Sequence, residues 1–143
     1  SSDLLVSDDF SVTGLKHFFD ILLAQKEGAV LWHCSAGKDR VGTTAALLLT
    51  ALGVDREVII QDYLLTNGYL EPETEAMIAK VAAKVPNERI LNGIRILNGA
   101  ERSYIESMFA ETERQCGSTE AYLQERLGLT DEKREMLREM YLV

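Results

Sequence analysis

A cysteine and an arginine separated by five residues form the pair most able to do chemistry in this chain. Cys34 and Arg40 lie in the stretch AVLWHCSAGKDRVGT, which covers residues 29–43. A thiolate is a good nucleophile, and a helix N-terminus or nearby cations lower a thiol pKa to roughly 3.5–7.5. A guanidinium group offers paired donors that match two oxygens of one tetrahedral anion. The spacing therefore predicts a loop that holds both groups around one such anion.

The elements on either side of this loop are predicted from their length and hydrophobicity. Residues 29–32 are apolar or aromatic and indicate a buried strand, and the apolar run after Gly42 indicates a buried helix up to Leu52. The loop would then lie at a helix N-terminus, where free N–H groups and the positive end of the helix dipole attract an anion. Gly37 and Gly42 suit positions where the backbone approaches the anion or takes a positive φ.

The loop HCSAGKDRVG resembles the phosphate-binding loop of the cysteine-dependent protein tyrosine phosphatases. The Lys38-Asp39 pair makes it most similar to bacterial tyrosine and lipid phosphatases whose loop is HCxAGKDRTG. The stretches ALGVDREVIIQDYLLTN and GSTEAYLQERLGLTDEKREMLREMYL also resemble the C-terminal half of that family. The resemblance implies phosphomonoester hydrolysis through a phosphocysteine, without a metal or cofactor. It implies phosphotyrosine, phosphoserine, phosphothreonine or phosphoinositide substrates.

The resemblance also implies roles for the residues of the loop. Cys34 is the expected nucleophile, and Arg40 is expected to bind the phosphate as charge develops. The expected phosphate-binding residues are Ser35, Ala36, Gly37, Lys38, Asp39 and Arg40. Lys38 places a second positive charge at the rim of the loop, which in this family suggests room for a second phosphate.

Two interpretations of Asp39 stay open. Its carboxyl group could protonate the leaving oxygen, with its pKa raised by the charge of the phosphate. It could instead orient Lys38 or Arg40 as an ion pair. Asp8 and Asp9 lie upstream, where tyrosine phosphatases carry a general acid on a mobile loop, although this dipeptide is more simply explained as a helix cap.

Two neighbours of the Cys34–Arg40 pair complete the predicted site. His33 is expected to hydrogen-bond the loop backbone and steady the thiolate rather than to take a proton. Val41 departs from the family pattern, which usually has Thr or Ser there to help the cysteine leave the phosphoenzyme. Either Thr43 or Thr44 supplies that hydroxyl, or hydrolysis of the intermediate is slow, since a lost transition-state donor costs roughly 10²–10³ in rate.

Two other functions compete with catalysis of phosphate transfer. Val41 favours a catalytically impaired phosphate-binding module, a pseudophosphatase. A rhodanese-like sulfurtransferase also places a cysteine in an anion-binding loop, but the His-Cys start and the spacing to Arg40 count against it. A nucleotide-binding Walker loop is excluded because Asp39, not Ser or Thr, follows Lys38.

Composition predicts a globular protein with one domain over residues 1–143. The 143-residue chain is 46% hydrophobic and 27% charged, and no apolar run approaches the length of a membrane span. A net charge of −8 argues against a general nucleic-acid binder. Two cysteines, far apart in the chain, form no metal-spaced pair, which favours a reducing compartment, and the cytoplasm is the expected location.

The predicted fold class is α/β, similar to the C-terminal part of a protein tyrosine phosphatase domain, with one clear strand and about seven helices. One strand makes no sheet, so we expect an N-terminal portion with the remaining strands to be missing, or to be supplied by another chain. The alternative is a helical domain with a single extended segment. Asp55 is expected to cap a helix that ends at Asn67-Gly68, and a further helix is expected over residues 71–84. That helix and the next, over residues 88–97, could cover the loop as a lid, or could simply pack.

Overall fold

The structure is a computed structural model that describes residues 2–142, and within these residues it contains eight α-helices and no strand. The helices are α1 Leu4–Ser7, α2 Asp9–Ala24, α3 Asp39–Leu52, α4 Arg56–Ala82, α5 Glu88–Asn98, α6 Arg102–Cys116, α7 Thr119–Glu125 and α8 Asp131–Tyr141. The loop that carries Cys34 joins α2 to α3. Its position is therefore set by how these two helices are packed.

Helix α3 lies at the centre of the fold, in contact with α4, α6, α7 and α8. Its buried side chains are small or aliphatic: Thr43, Ala46, Leu47, Thr50 and Ala51. Small side chains let the neighbouring helices approach closely, and larger ones such as Phe109 and Tyr122 fill the space around them. The first turn of α3, where the loop ends, is thus held by a well-packed helix.

Several helices begin with a side-chain cap, and the sequence predicts two of these caps, Asp8 and Asp55. Asp8 caps α2 by accepting from the Ser11 N–H, and Asp55 caps α4 by accepting from the Glu57 N–H. Thr130 caps α8 in the same way. A side-chain oxygen at this position satisfies one of the free N–H groups of the first turn, which typically stabilises the helix by about 1 kcal/mol.

The predicted strand over residues 29–32 is wrong, and with it the α/β fold class for the described residues. Burial still alternates along this segment, since Val30 and Trp32 are half-buried while Leu31 is 90% exposed. A strand also needs a neighbouring strand whose N–H and C=O groups pair with its own. No other segment between residues 2 and 142 is a strand, so the backbone of residues 29–32 has no neighbouring strand to pair with.

The predicted break at Asn67-Gly68 is also wrong, because α4 runs through it for 27 residues and contains Pro72. Glycine inside a helix costs only about 1 kcal/mol, which tertiary contacts can outweigh. Asn67 makes such a contact: its side chain bonds both the N–H and the C=O of Ala100. Long as α4 is, no helix in the described part of the chain combines the length and apolarity needed to cross a membrane.

Candidate active site

The loop between Cys34 and α3 forms a cup of backbone donors around the Cys34 sulfur. Burial raises the pKa of the Cys34 thiol, but the nearby backbone N–H groups of four residues favour the thiolate and together hold the pKa below the ordinary value. These are the N–H groups of Val41, Ala36, Gly37 and Lys38. Gly37 has φ of +65°, a left-handed conformation that favours glycine and lets the chain turn around the sulfur. This arrangement can stabilise a thiolate and can equally bind the oxygens of an anion.

The two cysteines of the chain should differ in reactivity. The pKa of Cys34 is lowered by the cup, whereas burial and then the Glu125 carboxylate raise the pKa of the Cys116 thiol. Because the thiolate is the reactive form, iodoacetamide at pH 6–7 should modify Cys34 first, at a rate that falls only when the pH drops below its lowered pKa. Mass spectrometry of the two cysteine peptides measures both rates. Equal rates, or faster modification of Cys116, would contradict the lowered pKa.

Arg40 lies in the first turn of α3 with its guanidinium beside the start of the loop. Its Nη2 donates to Ser35 Oγ at 3.3 Å, which joins the two ends of the loop across the cup. Arg40 is exposed to solvent, so donors not used by Ser35 are open to a ligand. The structure therefore brings the predicted anion-binding arginine next to the residue that follows Cys34.

The segment before Cys34 is positioned by aromatic packing instead of a sheet. The Trp32 ring packs edge-on against Phe18 of α2, with ring centroids 5.2 Å apart. His33 is exposed, and its Nδ1 lies 3.4 Å from the Cys34 carbonyl oxygen, at the long end of the hydrogen-bond range. These contacts fix the approach of the chain to the loop.

Lys38 is placed differently from its two neighbours in the sequence. Its side chain is buried, and Nζ donates to the carbonyl oxygens of Leu97 at 2.7 Å and Gly99 at 3.1 Å. Asp39 remains exposed, with Oδ1 3.7 Å from the same Nζ. The backbone N–H of Lys38 points into the cup, while its ammonium group binds the end of α5 rather than lying free at the rim.

The first turns of α3 show why Gly42 is required and what the threonines do. A Cβ at Gly42 would lie 2.7 Å from Cε2 of Tyr63, so α3 and α4 can meet here only without a side chain. Thr44 Oγ1 donates to the Arg40 carbonyl at 2.7 Å. Thr43 is buried, and within the described residues its hydroxyl has no hydrogen-bond partner.

The two upstream aspartates make local contacts. Asp8 caps α2, as described above, and its carboxylate also accepts from the Ser11 hydroxyl. Asp9 Oδ1 lies 3.5 Å from Nη2 of Arg126, the residue that follows α7. The contacts of Asp8 agree with the helix-cap interpretation.

A cavity of about 210 Å³ opens beside the loop. Its walls come from Ser35, Ala36, Lys38 and Asp39 of the loop and the start of α3, and from α4 and α5 opposite. Glu73 of α4 adds a second carboxylate to that of Asp39. Elsewhere in residues 2–142, no group of three or more His, Cys, Asp or Glu side chains is arranged to hold a metal ion.

Some residues that shape the site have no signal in the sequence. Tyr63 packs against Gly42, and burial, followed by the charge of Asp39, raises its pKa to about 12. Asn67 binds the turn that follows α5. In the sequence, Tyr63 is an ordinary helix residue and Asn67 is predicted to end the helix, so only the contacts between distant segments reveal what they support.

Comparison with known proteins agrees with the geometry of the loop. A profile described as the tyrosine phosphatase family matches residues 4–143. A relative from Nostoc commune, named a tyrosine-protein phosphatase, is 48% identical over 56 residues, which are 39% of this chain and 19% of the relative. Another, from Mycobacterium tuberculosis and named a triple specificity protein phosphatase, is 50% identical over 52 residues, 36% of this chain and 18% of the relative.

A longer match comes from Cupriavidus necator. That relative carries a provisional tyrosine-protein phosphatase name and is 30% identical over 125 residues, which are 87% of this chain and 45% of the relative. The matched part is thus less than half of each of these three proteins. Since the family profile covers nearly the whole sequence, the resemblance noted from the loop is confirmed, and the chain belongs to the tyrosine phosphatase family.

Proposed function

We propose that this chain hydrolyses phosphomonoesters through a phosphocysteine intermediate formed on Cys34. The observation that carries the proposal is the cup of four N–H groups that lowers the pKa of the Cys34 thiol, with Arg40 beside it. A thiol whose pKa is lowered, surrounded by donors for an anion, is suited to attack on a phosphate group. Membership of the tyrosine phosphatase family supports the same reaction.

In the first step, the Cys34 sulfur attacks phosphorus, an S–P bond forms and the bond to the leaving oxygen breaks. The N–H groups of the cup and the guanidinium of Arg40 bind the three remaining oxygens as charge shifts onto them. The leaving oxygen takes a proton from Asp39, whose exposed carboxyl group borders the cavity beside the loop. The alternative, that Asp39 orients Lys38, is supported by their 3.7 Å separation, and one carboxyl group can serve both purposes at different stages.

In the second step, water attacks phosphorus and gives a proton to the Asp39 carboxylate formed in the first step. The S–P bond breaks, and phosphate leaves with the Cys34 thiolate restored. The HCxAGKDRTG pattern that this loop resembles has a threonine, with its hydroxyl group, where this chain has Val41. The Thr44 hydroxyl is bonded to the Arg40 carbonyl and Thr43 is buried, so neither is offered freely to the sulfur. We therefore propose that the second step limits the overall rate.

The substrate classes we propose are phosphorylated tyrosine, serine or threonine side chains and phosphoinositides. The Mycobacterium tuberculosis relative carries the name of a triple specificity phosphatase. In this chain the cavity beside the cup is lined by apolar residues such as Leu70 and Met77 as well as by carboxylates. Such walls suit the organic part of a phosphate ester better than a second anion.

The test is hydrolysis of p-nitrophenyl phosphate by the unmodified chain and by Val41→Thr. Valine and threonine have nearly the same shape, so the variant adds a hydroxyl and little else. We expect kcat to rise by about tenfold or more, since one hydrogen-bond donor to the transition state can raise kcat by roughly 10²–10³-fold. In the unmodified chain we expect a burst of nitrophenol followed by slow turnover, because the phosphoenzyme accumulates.

Val41→Ala is the matched control, since it changes the side chain without adding a hydroxyl, and its kcat should not rise. A second candidate function, a phosphate-binding module without turnover, is favoured by Val41 itself. That function would be supported, and ours contradicted, if neither the unmodified chain nor Val41→Thr released nitrophenol while both bound inorganic phosphate. Membership of the phosphatase family argues against the sulfurtransferase alternative.

A further inference from the structure

The side chain of Lys38 connects the phosphate cup to a distant turn of the fold. Leu97 lies in the last turn of α5 and Gly99 follows the helix, so their carbonyl groups are among those that a helix leaves unpaired at its C-terminus. A cation is favoured at this end by the helix dipole. Lys38 is buried and its Nζ donates to both carbonyl groups, so the ammonium group already has hydrogen-bond partners within the protein.

The same turn is held from a second side by Asn67 of α4. Asn67 Nδ2 donates to the Ala100 carbonyl at 2.8 Å, and the Ala100 N–H donates back to Oδ1 at 2.7 Å. Ala100 itself is buried. We call residues 97–100 the α5–α6 turn; it is held by Lys38 from the loop and by Asn67 from α4.

The backbone of Lys38 belongs to the cup. Its N–H is one of the four that donate to the Cys34 sulfur, and its carbonyl accepts from the Gly42 N–H at 2.7 Å in the first turn of α3. Any displacement of Lys38 therefore moves a donor of the cup and the start of the helix that carries Arg40. A shift of about 1 Å in such a group can cost roughly 10²-fold in rate.

Use of the same ammonium group for a second phosphate would be costly. The part-buried carbonyl groups of Leu97 and Gly99 would lose this charged donor at the end of α5, where the helix itself leaves them unpaired. The cavity that Lys38 lines also presents the carboxylates of Asp39 and Glu73, which repel an anion. Within the described residues, Lys38 is the one cationic residue among those lining this cavity.

We propose that Lys38 is a positioning residue. Its ammonium group hydrogen-bonds the α5–α6 turn and so holds the backbone of the phosphate cup in place, and it does not bind a second phosphate of the substrate. This proposal rests on the proposed phosphatase function for its kinetic test. It narrows the substrate class to esters recognised through a single phosphate. Asn67 acts with Lys38, although it touches neither the cup nor the substrate.

The kinetic test compares Lys38→Met and Asn67→Ala with the unmodified chain. Methionine keeps most of the side-chain length of lysine and removes the charge. The substrates are p-nitrophenyl phosphate and two soluble phosphoinositides, one with a single ring phosphate and one with two adjacent ring phosphates. We expect Lys38→Met to lower kcat by about 10–100-fold on all three, with KM changed by less than about threefold. Asn67→Ala should lower kcat in the same uniform way.

Asn92→Ala, which changes an exposed asparagine of α5, is the matched control and should keep the full rate. The proposal is overturned if Lys38→Met raises KM for the two-phosphate substrate alone. It is equally overturned if both variants keep the full kcat on p-nitrophenyl phosphate. Circular dichroism shows whether each variant is folded, and Lys38→Met decides the matter should Asn67→Ala fail to fold.

A second measurement does not depend on turnover and separates this proposal from the proposed function. Asn67→Ala changes no charge, so an effect on Cys34 must come from a moved cup. We expect its rate of alkylation by iodoacetamide at pH 6–7 to fall by about threefold or more, equivalent to a rise of about half a pKa unit. If the unmodified chain hydrolyses nothing but this change occurs, the proposed function fails and the positioning role stands. Unchanged alkylation in both Asn67→Ala and Lys38→Met would overturn the positioning role.

Discussion

Cys34→Ser is expected to abolish hydrolysis of p-nitrophenyl phosphate, with kcat falling by roughly 10⁴–10⁶-fold, the range that follows loss of a catalytic nucleophile. A serine hydroxyl is weakly nucleophilic at its ordinary pKa and needs a general base to activate it. The four N–H groups lower the pKa of the thiol, but the ordinary pKa of an alcohol is so much higher that a serine stays protonated at neutral pH. The measurement is initial-rate kinetics at neutral pH with a burst analysis of the first turnover.

Cys116→Ser is the matched control for this prediction. Cys116 ends α6, and burial and the Glu125 carboxylate raise the pKa of its thiol, so its loss should leave kcat within about twofold. Inorganic phosphate should still inhibit by binding to the cup in Cys34→Ser, and calorimetry can measure that affinity directly. Turnover in Cys34→Ser comparable to that of the unmodified chain would eliminate the phosphocysteine.

The part of the site that could be predicted from sequence is the part encoded within one short stretch. Cys34, Gly37 and Arg40 lie within seven consecutive residues, so the turn of the chain and the start of α3 bring them close together. The same locality explains the helix starts. Asp55 and Thr130 bond N–H groups two and three residues ahead of them, and such contacts depend on little else.

Contacts between distant segments account for the parts that were not predicted. Lys38 binds carbonyl groups 59 and 61 residues away, and a sequence pattern cannot distinguish this from a lysine at the rim of a phosphate site. Asn67 binds Ala100, 33 residues away, which outweighs the turn-forming tendency of Asn-Gly. These two contacts are also those on which the positioning of the cup depends.

The segment at residues 29–32 illustrates a different limit. Its hydrophobicity and its alternating burial are those of a strand, and Trp32 is held by Phe18 as a strand residue would be held by a helix beneath it. Secondary structure in a sheet is nevertheless a property of pairs of segments, because the hydrogen bonds run between strands. A local pattern can specify which side chains are buried here, but not whether a partner pairs with the backbone.

Arg40→Lys is expected to lower kcat/KM for p-nitrophenyl phosphate by roughly 10²–10³-fold, although the charge is kept. Lysine is a point charge on a flexible stem, whereas the planar guanidinium can donate to two phosphate oxygens while another of its N–H groups holds Ser35. The groups that lower the pKa of Cys34 are backbone N–H groups, which the substitution keeps, so alkylation of Cys34 should change by less than about threefold. Loss of turnover with retention of Cys34 reactivity would indicate that Arg40 acts by binding the phosphate oxygens in the transition state. Arg114→Lys, which alters an exposed arginine paired with Glu111 on α6, is the matched control and should retain full activity. If Arg40→Lys were as active as this control, Arg40 would not bind the transferring phosphate.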